Sequence, residues 1–145
     1  MTYDEKLANL NEIYPVGEKI PEQVRTRHGH QLNELTLENL LAGDVTASDF
    51  GITAEGLRLQ AKIAERAGRP NLAQNLRRGA ELVEIPDRVL LEVYELLRPG
   101  RAQSAEVLRA AANQLRNTYG AMETASLLDE AALVYERRGI FQRRV

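Results

Sequence analysis

The pattern of hydrophobic and polar positions changes character along the chain. Residues 1–35 carry Pro15, Gly17, Pro21 and Gly29 among scattered polar residues, with little sustained periodicity, and read as an irregular arm with turns. One stripe stands out there, Tyr3, Leu7, Leu10 and Tyr14, which share a face at helical spacing. A helix that short is marginal alone and needs a surface to lie against. From Thr36 onward the period is helical, so residues 36–145 are expected to form a helical domain, one compact unit with the arm. Thr36 is placed to cap a helix Leu37–Ala42 that Gly43 ends. Thr46 or Ser48 offers a turn. Thr53 caps the next helix, which Gly68 stops. Pro70 starts a helix reaching about Val83, and Pro86 opens another that ends at Arg98, before Pro99. Ser104 caps a helix from Ala105 to about Thr118, and a break near Gly120 precedes a last helix to about Arg138. No stretch alternates as a strand does, a short hairpin around His28–Leu32 being the sole candidate. The expected class is all-α.

The helix faces carry more. In the helix after Thr53, the charged Glu55, Arg58, Lys62 and Glu65 fall in one arc, while Leu57, Leu59, Ile63 and several alanines cover most of the rest. Such a helix either sits centrally or turns one side to another chain. In the Pro86 helix, Val89, Leu90, Val93, Tyr94 and Leu97 form a broad apolar face, with Leu91 outside it beside Arg98. The last two helices have narrower faces rich in alanine, which allows close axial approach.

Composition then removes function classes. There is no cysteine, which excludes a disulfide scaffold, an iron–sulfur cluster and a thiolate nucleophile. The 19 basic residues are outweighed by 21 acidic ones, a poor balance for binding nucleic acid through phosphates. The longest apolar run, Ala131–Tyr135, is far short of the ~20 residues of a membrane span. Asp4 and Glu5 stand where a signal peptide would be basic, so a cytoplasmic location is expected, with no membrane partner. Aromatics make up 5% of the chain, thin for the walls of an enzyme pocket.

Candidate chemistry is sparse. His28-Gly29-His30 offers two metal ligands, but a zinc site needs a third and an orienting shell, so the pair reads as a solvated turn. No serine lies in a G-x-S-x-G elbow, and neither a Walker loop nor a G-x-G-x-x-G is present. The residues alone therefore suggest a helical interaction module. A tetratricopeptide-like helix pair over 56–86 is one form of it. A helix-turn-helix reader carrying Gln74, Arg77 and Arg78 is another, disfavoured by the charge balance.

A resemblance sharpens this. Tyr14-Pro15 with Pro21-Glu22, Thr36-Leu37-Glu38-Asn39, Ile52-Thr53 with Leu57-Arg58 and Gln60-Ala61, and Ala67-Gly68-Arg69 recur in order. So do Ala80-Glu81-Leu82, Pro86-Asp87, Leu97-Arg98-Pro99 with Arg101, and Glu130-Ala131-Ala132. In that order and spacing the chain resembles the small (gamma) subunit of adenosylcobalamin-dependent diol and glycerol dehydratases. The resemblance implies an open three-helix up-and-down bundle with an additional, partly irregular N-terminal subdomain. It implies a hetero-hexamer of two large, two medium and two small subunits, which converts a 1,2-diol to an aldehyde and water. Adenosylcobalamin would lie between the large and medium subunits, and a potassium or calcium cation in the large one. This chain would carry no catalytic, cofactor-binding or metal-binding residue. Its role would be to pack on the large subunit, and the candidate contacts are Tyr14, Pro15, Leu57, Leu59, Ile63, Leu91, Arg98 and Arg101. The Tyr3-Leu7-Leu10 stripe would be a docking segment on the large subunit, with encapsulation in a bacterial microcompartment as the alternative.

Overall fold

A computed structural model describes residues 12–141. Among them are seven α-helices and no strand, as expected of an all-α chain: α1 (Val16–Lys19), α2 (Leu37–Ala42), α3 (Ala54–Arg66), α4 (Pro70–Glu84), α5 (Asp87–Leu97), α6 (Ala105–Tyr119) and α7 (Met122–Arg137). The chain divides into two compact units, one up to Arg77 and one from Arg78, so the division falls within α4.

In the first unit the helix starts follow capping chemistry. The Thr36 hydroxyl accepts from the Asn39 N–H, and the Thr53 hydroxyl from the Gly56 N–H, each filling an orphan donor of a first turn. Helix α3 closes in a Schellman motif. Gly68 takes φ 71°, its N–H bonds to the Glu65 carbonyl, and the Arg69 N–H bonds to that of Ala64 at 2.9 Å. The left-handed conformation is why a glycine stands there. The wide apolar circumference of α3 is resolved in favour of the interior. Ile63 packs with Ile13 and Ile20, flanked by half-buried Val16 and Leu59, and Leu57, Ala61 and Ala64 are also buried. The hairpin expected around His28–Leu32 reduces to one antiparallel bridge, Arg25 to Gln31. The segment between turns through Gly29, where the Thr26 N–H bonds the His30 carbonyl and the His30 N–H bonds the Thr26 hydroxyl.

The second unit is built on an antiparallel pair, α6 and α7. Arg109 bonds Glu136 at 2.9 Å and Arg116 bonds Asp129 at 2.7 Å, so positions advance on one helix as they recede on the other. Between them Leu108, Ala112, Ala125, Leu128 and Ala132 are fully buried, the small side chains permitting the close approach. Helix α5 adds Val93 to the core shared by Ala112, Leu115 and Leu128, with Leu97 beside it. The Tyr135 hydroxyl donates to the Leu97 carbonyl and its ring lies 5.8 Å from that of Phe141. Two expectations are corrected. Ser104 stands at the start of α6 but makes no side-chain cap bond. Its hydroxyl bonds the Glu106 carboxylate, which lies below its ordinary pKa for that reason first. Tyr94, placed by spacing on one apolar face of α5 with Val93, is instead 66% exposed while Val93 is buried, because the core reaches only the Val93 side of that helix.

Candidate functional site

The most constrained polar cluster lies in the first unit around Asp49. The 3-10 turn Ala47–Phe50 follows Thr46, whose N–H and hydroxyl both donate to Asp49 Oδ2, at 2.9 and 3.0 Å. The other carboxylate oxygen accepts from the Thr26 hydroxyl at 2.7 Å and from His28 Nδ1 at 2.9 Å. A carboxylate only accepts, so Nδ1 of His28 carries the proton. The Asp49 side chain is 1% exposed. The Thr46 backbone N–H, more than any other group, holds its pKa far below the usual carboxylate range; burial opposes this, and Thr26, His28 and the Thr46 hydroxyl reinforce it. Thr26 in turn accepts from the His30 N–H and its own N–H reaches the His30 carbonyl. The cluster is a knot that ties two loops together.

That knot decides the histidine motif. Nδ1 of His28 is occupied by Asp49, and Nδ1 of His30 sits 3.9 Å from Glu34. Among the described residues no three His, Cys, Asp or Glu side chains converge as metal ligands. In the second unit a long-range carboxylate contact is equally structural. The Glu81 carboxylate of α4 accepts from the Glu123 and Thr124 N–H groups and the Thr124 hydroxyl, at 2.8, 2.7 and 2.7 Å, capping the start of α7.

The residues expected at a partner contact separate into two sets. Leu57 and Ile63 are buried in the first unit and leave little surface to offer; Ile13 and Ile20 pack with Ile63, and half-buried Leu59 packs against the same cluster. Tyr14, Pro15, Leu91, Arg98 and Arg101 are exposed. Tyr14, joined to Pro15 by a cis peptide, borders a groove of about 470 Å³ lined also by Ile63, Ala67, Leu72 and Leu76. On α5, Leu91 and Tyr94 stand 67% and 66% exposed, one turn apart. Arg98 and Arg101 both pair with Glu95, at 3.0 and 2.9 Å. Sequence reasoning missed the barest large apolar residues among those described. Leu37 and Leu41 are 71% and 79% exposed, and α2 buries no residue. The signal was present: three leucines in a six-residue helix with a single acid and no base.

Nothing in this arrangement resembles a nucleophile with its base or a pocket with convergent polar groups. What it presents is rigidly held loops and uncovered apolar side chains, the features of an interaction surface. Residues 10–142 match the family described as dehydratase small subunit. The propanediol dehydratase small subunit of Citrobacter freundii is 47% identical over 125 residues, covering 86% of this chain and 72% of the relative. That of Salmonella typhimurium is 48% identical over the same shares.

Proposed function

The chain belongs to the dehydratase small-subunit family, and on that premise we propose that it is the non-catalytic small subunit of an adenosylcobalamin-dependent diol dehydratase. Its work is to dock on the large subunit and complete the assembly that turns a 1,2-diol into an aldehyde and water. The observation that carries this reading is 47–48% identity to propanediol dehydratase small subunits over 86% of the chain.

The cofactor supplies radical chemistry when bound, and its place is on the partner chains, as is that of a potassium or calcium cation. The groups of this chain hold loops and helices together: Asp49 the first unit, Glu81 the start of α7. The assembly proposed has two copies each of large, medium and small subunits and works in the cytoplasm. No helix among the described residues is long and apolar enough to cross a membrane. The partner-facing residues proposed from the first set of candidates are Tyr14, Pro15, Leu91, Arg98 and Arg101. Leu57, Leu59 and Ile63 are proposed to act indirectly, by holding α3 in the first unit.

The test is co-expression with the large and medium chains. The expected outcome is a co-purifying complex with dehydratase activity on 1,2-propanediol and adenosylcobalamin, and reduced soluble activity when this chain is omitted. Equal activity without it, and no co-purification, would refute the reading.

A further inference from the structure

The region from Gln31 to Leu57 combines two properties that are rarely found together on a free surface. Leu37, Leu40 and Leu41 of α2 are exposed, as are Phe50 and Ile52 just after the Asp49 knot. Over the same region the chain has no lysine or arginine. Its charges are all acidic, and apart from buried Asp49 they are exposed: Glu34, Glu38, Asp44 and Glu55. Elsewhere acids and arginines are interspersed and pair, as Arg109 with Glu136 and Arg116 with Asp129 do. Here the segment supplies no lysine or arginine of its own, and the ion pair seen for these exposed acids is that of Glu34 with His30 at 3.9 Å.

The display is also rigid. The Asp44 and Val45 N–H groups bond back to the Asn39 carbonyl, at 3.0 and 3.3 Å, closing α2 onto the next turn. Val45 is 1% exposed and anchors that turn. Asp49 then locks the residue preceding Phe50 through Thr46, Thr26 and His28. Side chains that are held before binding lose less freedom on binding, which favours association. A charge set of one sign around apolar residues selects a partner of opposite sign and speeds its approach.

We propose that α2 and the turn through Phe50 and Ile52 form a docking surface for an apolar patch bordered by arginine or lysine on the large dehydratase subunit. This rests on the small-subunit reading and names the surface through which it acts. It is distinct from the contacts on α5.

The test uses the full complex and two double variants of this chain. Leu37→Ser with Leu41→Ser removes the apolar contact. Glu38→Lys with Asp44→Lys reverses the rim and leaves the leucines in place. All four positions are exposed, so each variant is expected to keep the far-UV circular dichroism of the parent. The readout is the amount of this chain retained on tagged large subunit, at low salt and at about 1 M salt, where screening shortens to ~3 Å. The leucine pair should lower retention by about tenfold or more. The charge reversal should do so at low salt, with the difference shrinking at high salt. If one variant misfolds, the other decides. Wild-type retention by both variants overturns the proposal and leaves the subunit reading standing. Failure of the wild-type chain itself to be retained overturns that reading and the surface with it. A self-association of the chain that the leucine pair abolishes, with retention on the large subunit unchanged, also overturns the proposal, by making a second copy the occupant.

Discussion

At the residue scale, Asp49 is the side chain whose surroundings most exceed what its neighbours in sequence announce. Its folded pKa lies below the ordinary carboxylate value, so it stabilises the fold fully above about pH 4, and that contribution fades as pH falls below this value. Asp49→Asn should therefore lower the melting temperature at pH 7, and the gap to the parent should narrow at pH 3. Thermal melts followed by circular dichroism at the two pH values check this, and a gap that widens in acid would count against it. Glu81 offers a parallel case. Glu81→Ala leaves the Glu123 and Thr124 donors without their acceptor and should cost about 2 kcal/mol, whereas Glu81→Gln, which keeps one acceptor oxygen, should recover part of it. Urea denaturation measures both.

At the element scale, α2 and α3 show how two leucine-bearing helices meet opposite fates. Both begin at a threonine cap and both end near a glycine in the left-handed conformation. Those ends were legible in the sequence because capping is local: it needs only a side-chain oxygen three residues from an N–H. What each helix buries was not legible. Helix α3 gives Leu57 and Ile63 to the interior, and α2 buries none of its residues. Of the contacts expected on α3, Leu57 and Ile63 are buried and Leu59 is half-buried. Periodicity measures how much of a helix is apolar and says nothing of what covers it. The contrast can be measured with one substitution on each side. Leu57→Glu places a charge among apolar side chains and should destabilise the first unit by about 3 kcal/mol or more. Leu91→Glu, on the 67% exposed position of α5, should leave stability within about 0.5 kcal/mol while weakening assembly with the partner subunits. Chemical denaturation of the isolated chain, beside co-purification of the complex, separates the two effects.

At the scale of the whole molecule, the sequence by itself determined the class and the helix ends, and it placed the chain in its family through residues spread from Tyr14 to Ala132. It also determined the poverty of chemistry, because the absence of cysteine and the scarcity of histidine and aromatics are facts of composition. These are local or countable properties, readable without knowing which segments meet. The tertiary structure alone decided where the few polar groups go. Asp49 and Thr26 are 23 positions apart, Glu81 and Thr124 43 apart, and only folding brings each pair to 2.7 Å. It alone showed that His28 is bound to a structural carboxylate, and that the leucines left bare are those of α2, not those of α3. Burial and long-range hydrogen bonding depend on which side chains become neighbours in space, and helical period along the chain leaves that open.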